Sequence, residues 1–542
     1  MKWLILALAS SLVLSAQSPP PSRPGVTGHP LELTLEDTLV RLLSRNQDVQ
    51  AWRLDLQYAD LQLAGAHGAY DPVLGFDTRY ENRTTAVSSI LGGAANGKLD
   101  EVDFSTGPAL SGLLGSGATY QTSLFLNRQV SSSLFVPFVP QYLSGLALSV
   151  EQPLAKGLRI DAARRSIAVA NLGRGLAAAQ FRERVMSLAA QAAKAYFHVL
   201  AAQENLAIQA EALAEARRGI AANQRLVKQG LMAAADVITV QGQAAGFETG
   251  YYAALDAWNA AENALKKLIA ASKDDPLWQA PLQLTSTLQA SVDRLRAADI
   301  PVEQAVQEAL QKRPESAVLQ AATGINEVNS RFFDDQMRPQ VNLYANYASN
   351  GLAGILADRP NPFGGLGVPG AESAPPHMLG GPGTSLANTF LQRFPSITIG
   401  LKIALPLRNR TAAANAAQAR IDLARSRNHT GQFQLGVVAE VRNAAHTYTA
   451  AVQRLRAASE SRKMALADYE SQRRKLAAGL TSTFELYQKH TRYVEEQARE
   501  LQASTDLRIS LIEYERTLGR TLDVYRIELS RHTPPPVLPG TR

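Results

Sequence analysis

Hydrophobic and polar positions follow two different periods along this chain. From Leu154 through Asp275, and again from Leu407 through Thr533, apolar residues recur at helical spacing and proline is absent. Proline in a helix interior costs about 3 kcal/mol, so two long runs without it, rich in Ala, Leu, Gln, Glu and Arg, predict helix. Each run carries one glycine-marked break, Lys228-Gln229-Gly230-Leu231 in the first and Ala477-Ala478-Gly479-Leu480 in the second. Each run therefore reads as an antiparallel helical hairpin of two long arms, roughly 65 residues and about 100 Å each at 1.5 Å per residue. After the second break Leu480, Tyr487, Val494 and Leu501 recur at sevens, with Phe484, Thr491, Ala498 and Thr505 four residues after each. The first break is followed in the same way by Leu231, Ile238, Ala245 and Tyr252. Heptad spacing winds helices around neighbours.

Between these runs the period drops to two. Val341 to Tyr347 and Ser396 to Ile403 alternate as half-exposed strands do. The first half offers Val73 to Glu81 and Ser144 to Glu151, which makes four main strands. A further strand-like segment, Thr119 to Asn127, has no evident place. Gly/Pro-rich loops separate the strands, the longest from Gly351 to about Asn388.

The two halves repeat one another. Leu33-Thr34-Leu35-Glu36 aligns with Ile300-Pro301-Val302-Glu303, Pro72 with Pro339 and Tyr80 with Tyr347. Gly230-Leu231 aligns with Gly479-Leu480, and Asp236-Val237 with Glu485-Leu486. The offset between the halves shortens from the prolines to the tips, so the first half carries extra chain there. The repeats are read as residues 31–295 and 296–530, followed by a tail at 531–542.

Ahead of the first repeat, Lys2, an apolar stretch from Trp3 to Leu14 and small residues beyond it read as a secretory signal over residues 1–17. Residues 18–30, with five prolines, read as a flexible or polyproline-like leader rather than fold. The absence of cysteine excludes a disulfide framework, thiolate metal sites and a catalytic thiol. Although the net charge is +7, the 55 Lys and Arg are interleaved with 48 Asp and Glu. That pattern argues against nucleic acid as a partner. Gly365-Leu366-Gly367-Val368-Pro369-Gly370 matches the dinucleotide glycine pattern but lies in a proline-rich loop, and Gly92 to Lys98 is followed by Leu99 where a phosphate loop needs Ser or Thr. No histidine pair has zinc spacing, and no nucleophile elbow occurs. No enzyme, cofactor or metal is expected.

Four strands cannot close a barrel, and open edges are not tolerated in lipid. Three chains would supply twelve strands, enough to enclose a pore. Over nearly all of its length beyond the signal the chain resembles the TolC-like outer membrane efflux proteins. The resemblance rests on Leu33-Thr34-Leu35-Glu36-Asp37 opening a helix that leads to Pro72, and on its repeat ending at Pro339. Gln152-Pro153-Leu154 and Leu405-Pro406-Leu407 at strand ends, Ala195-Tyr196-Phe197 in the first long helix and the two Gly-Leu tips add to it. It implies a mainly α fold with a membrane β-barrel: a homotrimer with a twelve-stranded barrel in outer membrane lipid and a periplasmic α-helical tunnel. It further implies docking onto a periplasmic adaptor linked to an inner-membrane transporter of RND, ABC or MFS type, and a place in the outer membrane of a Gram-negative-type bacterium. In that family an acidic ring narrows the periplasmic mouth. Its position is Glu485 here, while the second ring falls at Gln488 and is lost. The latching arginine of the family is Thr481, and its acidic partner is kept as Asp236. Gly230, Leu231, Asp236, Gly479, Leu480 and Thr481 are the expected adaptor-docking tips. The competing expectation is a coiled-coil envelope scaffold with no channel.

Overall fold

The structure is a computed structural model that describes residue 23 and residues 25–88, 93–94, 97–230, 234–286, 301–358 and 374–529, the side chains at 234–236 and 239 excepted. The expected signal, the tail at 531–542 and the glycine pattern at 365–370 lie outside the described residues, as does the expected repeat boundary at 295–296. The chain divides into two compact units. The first comprises residues 1–52, 184–312 and 437–533, and the second residues 53–183, 313–436 and 534–542.

The glycine-marked breaks end two very long helices, α3 (Ala162–Lys228) and α8 (Arg410–Ala477), and each is followed by a second arm, α4 (Ala234–Ile269) and α9 (Thr483–Thr517). The arms are unequal, which corrects the expectation of two matched arms: 67 residues against 36 in the first hairpin, 68 against 35 in the second. Lack of proline permits a helix but does not extend one. Beyond Ile269 the Asp275 carboxylate accepts from the backbone N–H groups of Ala271 (2.9 Å) and Leu277 (3.0 Å) and turns the chain out of helix. Beyond Thr517 the αL residue Gly519 (φ +77°) does the same.

In the first unit, β1 (Leu31–Leu33) pairs in parallel with β6 (Leu282–Leu284) and leads into α1 (Leu35–Arg45). Thr34 caps α1 through a reciprocal box with Asp37, and Leu39, Leu42 and Leu43 on one helical face are buried. Beside them Tyr196 of α3 is fully buried, its hydroxyl 2.7 Å from Ser286 Oγ. The described part of the expected leader is tied down rather than free. Thr27 and Gly28 donate backbone hydrogen bonds to the Gln279 carbonyl. Arg23 lies 3.8 Å over the Trp258 ring and 2.7 Å from Glu262, which also binds Lys266 at 2.7 Å; all three charged side chains are buried. Toward the tip, Ala212, Leu213 and Ala216 of α3, Ala244 and Phe247 of α4 and Val494 of α9 form one apolar cluster. At the other end of α9, Lys194, Arg516 and Glu513 form an ion network that Arg516 extends to Glu440 at 2.6 Å. Also in this unit is α5 (Val302–Lys312), whose Glu308 accepts from Arg520 at 2.6 Å.

The second unit is built on one antiparallel sheet of β2 (Val73–Ala86), β3 (Lys98–Leu113), β4 (Thr119–Ser131), β5 (Phe138–Pro153), β7 (Gln340–Leu356) and β8 (Phe394–Ala404), in that spatial order. The four strands expected are β2, β5, β7 and β8. The unplaced segment 119–127 is β4, and β3, which period-two reading missed, joins it to β2. Among the described residues, this sheet therefore has six strands rather than four. Gly107-Pro108 is what hid β3. Proline removes a ladder donor and reads as non-strand. The β3–β4 pairing runs to Thr106↔Leu126, omits Gly107 and Pro108, and resumes at Ala109↔Ser123. A Cβ on Gly107 would lie 1.9 Å from the Leu124 carbonyl oxygen, so only glycine lets β4 approach there.

The long loop of the second repeat contains α7 (Pro382–Phe390), which lies on the sheet over β5 and β7. Ser144 Oγ is 2.7 Å from both Ser385 Oγ and Thr389 Oγ1, and Ser349 donates to the Thr389 carbonyl at 2.6 Å. Below the sheet, α2 (Gln47–His67) and α6 (Pro314–Gln336) are tied to the adjoining stretches of α3 and α8 by polar pairs. These include Asp60–Arg174 at 2.7 Å, Asn329–Arg165 at 2.8 Å and Asp334–Arg420 at 2.7 Å.

Candidate functional site

Two features of the chain are built for contact with something else: the hairpin tips and the bare sheet.

At the second tip α8 ends in a Schellman motif. Gly479 N–H bonds to the Leu476 carbonyl and Leu480 N–H reaches back to Lys475, both at 2.9 Å. The motif needs the positive φ of Gly479, +74°, and Gly230 has the same +74° at the first tip. No atom lies within 4 Å of a Cβ placed at either glycine. The conformation is therefore what selects glycine at both tips. Leu480 is left 77% exposed and Phe484 half exposed. Leu231 lies outside the described residues. Asp236 falls in the first turn of α4, and its side chain is not described.

Ser482 caps α9 by accepting from Glu485 N–H at 3.3 Å. The Glu485 carboxylate is exposed at this helix N-terminus, where the helix dipole favours negative charge. It accepts from Thr481 Oγ1 at 2.5 Å and from Gln472 Nε2 at 2.8 Å. Glu485, expected at the constriction, and Thr481, expected at the docking tip, are thus joined in one bonded triad with buried Gln472. Nothing in the spacing of the sequence singles out Gln472, because its partner lies across the hairpin. Gln488, one turn on, is exposed.

Over the first twelve residues of α9, those buried in the chain are Thr483, Tyr487, His490 and Val494. Tyr487 and Val494 of the expected heptad are among them. Near the tip the companion stripe is shifted by one residue, with Thr483 and His490 buried where Phe484 is exposed and Thr491 half-buried, while farther along Thr505 of the expected stripe is buried. In the tip half of α4, Val237, Val240, Ala244 and Phe247 are buried, while Ile238 and Tyr252 of the expected stripe are exposed. His490 packs against Phe247, Tyr469 and Tyr487. Burial pushes its pKa down from the usual histidine value, against the opposing pull of Glu215 and Glu211. Gly219 makes room for this cluster: a Cβ there would meet the Tyr487 hydroxyl at 1.4 Å. A glycine in mid-helix with no turn around it was the available signal.

The sheet has two distinct faces. Residues directly opposite in an antiparallel ladder share a face. One row crosses all six strands as Leu74, Leu110, Thr122, Leu148, Tyr347 and Ile397. The next row crosses as Val73, Ser111, Gln121, Ser149, Asn346 and Thr398. Extended by twos, the first face carries Phe76, Tyr80, Phe104, Leu124, Leu126, Leu146, Val150, Ile399, Leu401 and Ile403. The second carries Asp77, Arg79, Glu81, Arg83, Glu101 and Asp103, with an Arg83–Glu101 pair at 2.6 Å. The apolar face is open in the chain: Leu74 is 73% exposed and Ile397 71%. Ser144, Ser349 and Gly351, which hold α7, continue this face beyond the apolar band. The outer ladders of β2 and β8 have no partner strand among the described residues. Among the described residues, no helix is long and apolar enough to cross a membrane.

Residues 38–271 match the model of the family described as outer membrane efflux protein. The fold is shared with solved structures of low identity. The chain is similar to the CmeC outer membrane channel of Campylobacter jejuni (13% identity, TM-score 0.61, covering 92% of this chain and 89% of that one). It is similar to the outer membrane protein VceC of Vibrio cholerae (13%, 0.60, 90% and 96%). It is also similar to the open state of the MtrE outer membrane channel of Neisseria gonorrhoeae (15%, 0.59, 90% and 88%). No curated protein matches the chain.

Proposed function

From the family match over residues 38–271 and the fold shared with outer-membrane channels, we propose that the chain is the exit duct of a tripartite efflux or type I secretion system. It is a passive homotrimeric channel that spans the outer membrane and extends into the periplasm. One observation carries the reading: the same chain carries a two-faced sheet whose two edges are unpaired among the described residues, and two helical hairpins whose longer arms, of 67 and 68 residues, reach about 100 Å. An apolar face over a whole sheet is stable in lipid, and the polar face then lines water. Unpaired edges in lipid are unstable, and copies that pair β8 with β2 of the next copy remove them.

The duct performs no bond chemistry. Work comes from an inner-membrane transporter of RND, ABC or MFS type, coupled through a periplasmic adaptor that meets the tips. Exposed Leu480 and Phe484 and the two glycine turns provide the tip surface. Three Glu485 carboxylates converging at the mouth would attract cations.

Light scattering in detergent and conductance in planar bilayers test the proposal together. A trimer that conducts is expected, whereas a monomer, or a trimer that never conducts, leaves the scaffold reading in place. Leu480→Glu probes docking better than a change at Gly479, whose turn needs its glycine. It should abolish adaptor co-purification and leave the trimer intact.

A further inference from the structure

The β3–β4 hairpin is an insertion into the first repeat, since in the second repeat β7 pairs directly with β8 and no strand lies between them among the described residues. An inserted hairpin could stand above a membrane as a tongue, or it could enter the wall. Three observations bear on this. First, its pairing with both neighbours is long, from Val73↔Ser111 to Ala86↔Lys98 on one side and from Thr119↔Glu151 to Gln129↔Gln141 on the other. Second, it spans the height of the sheet. Its turn at residues 114–118 lies at the end from which α3 leaves, with Gln152 Nε2 3.2 Å from the Ser116 carbonyl and Arg164 reaching the same carbonyl at 3.5 Å. Third, it obeys the two-face pattern of the other four strands. Phe104, Pro108, Leu110, Leu124 and Leu126 continue the apolar face, and Asp103, Ser105, Gln121, Ser123 and Asn127 the polar one. A water-surrounded tongue has no need of a one-sided apolar face in register with its neighbours.

We propose that β3 and β4 are lipid-facing staves of the barrel, so that three copies, each with six strands, close an eighteen-stranded wall in place of a twelve-stranded one. This rests on the channel reading above. Parity permits it: adding two strands leaves β2 and β8 running in opposite directions, so the seam between copies stays antiparallel. Barrel diameter grows roughly linearly with strand number, which makes the bore about 1.5 times that of twelve strands, in the range of water-filled porins. Charged Asp77, Arg79, Glu81, Arg83, Glu101 and Asp103 then face the lumen. The membrane section is too wide to select cargo by size, and selection falls to the helical end of the duct.

The absence of cysteine makes the test clean. Single cysteines at Phe104, Leu110 and Leu124, and at Ser105 and Ser123, are placed in the trimer in liposomes beside reference sites at Ile399 and Thr398. A fluorophore on the first three should be quenched by nitroxide-bearing lipids as strongly as one at Ile399. Ser105→Cys and Ser123→Cys should react with a charged aqueous thiol reagent about tenfold faster than those three, as alternation in a barrel wall requires. Water reactivity without quenching at every hairpin site, with Ile399 still quenched, overturns the proposal and leaves the channel reading standing. Loss of quenching at Ile399 as well overturns both. A cryo-EM strand count in lipid nanodiscs needs no variant: eighteen strands support the proposal and twelve overturn it.

Discussion

The two repeats share a plan and spend their extra chain differently. Between β2 and β5 the first repeat inserts a hairpin that enlarges the sheet. Between β7 and β8 the second keeps its strands adjacent and uses the intervening chain for α7, pinned on the sheet by Ser144, Ser349, Ser385 and Thr389. The second arms differ as well. The end of α4 is held by a fully buried Arg23–Glu262–Lys266 cluster, and the end of α9 by a half-exposed network around Glu513. Duplication thus preserves the period of each element and leaves connections and polar anchors free to diverge.

The largest effect should come from the buried anchor. Glu262→Ala leaves the Arg23 and Lys266 charges buried without their carboxylate and should cost about 3–5 kcal/mol of stability in denaturant unfolding. A cost near zero would mean that Arg23 leaves its site at little expense and the leader is effectively free.

Next come the strand glycines. Gly107→Ala in the first repeat drives a methyl into the Leu124 carbonyl, a backbone atom with nowhere to go. It should cost about 2–3 kcal/mol and lower trimer yield. Gly400→Ala in the second repeat meets only the Tyr344 ring, at 2.4 Å, and a ring can rotate away. It should cost less than about 1 kcal/mol. Equal costs would remove the distinction between the two strand sets.

A smaller, pH-dependent difference should separate the two anchors. Burial works to raise the Glu513 pKa, but bonds from Arg516 and Lys194 overcome it and hold the group down at about 2, against 4.5 for a free glutamate. A depressed carboxylate stabilises the fold above its unfolded value and loses that contribution as pH falls from about 4.5 to about 2. With the side chain 34% exposed, about 1–2 kcal/mol is expected after screening. Glu513→Gln should flatten the stability curve in this window. His490 acts at milder pH: its lowered pKa means stability is full when it is neutral and declines as pH drops below about 6.5.

The smallest effect concerns the tips, where Glu485 of the second repeat aligns with Asp236 of the first. Glu485→Gln should weaken block by multivalent cations by about 1 kcal/mol or less and leave assembly unchanged. Unaltered block would confine the carboxylate to its bonds with Thr481 and Gln472.

Sequence by itself determined the elements whose periodicity is uninterrupted: the long helices, their glycine tips, β5, β7 and β8, the start of β2 and the duplication that orders them. It determined the tip turns because αL backbone restricts the residue locally. What only the tertiary structure decided is everything fixed by a distant partner. β3 depends on Leu124 approaching Gly107, although Pro108 argues locally against a strand. The length of α4 depends on Asp275 turning the chain out of helix. The buried stripe of α9 runs through His490 rather than Thr491 because Phe247 and Tyr469 lie on that side, and Glu485 found Gln472 across the hairpin. Periodicity reports that a face exists, and only the packed chain decides what covers it.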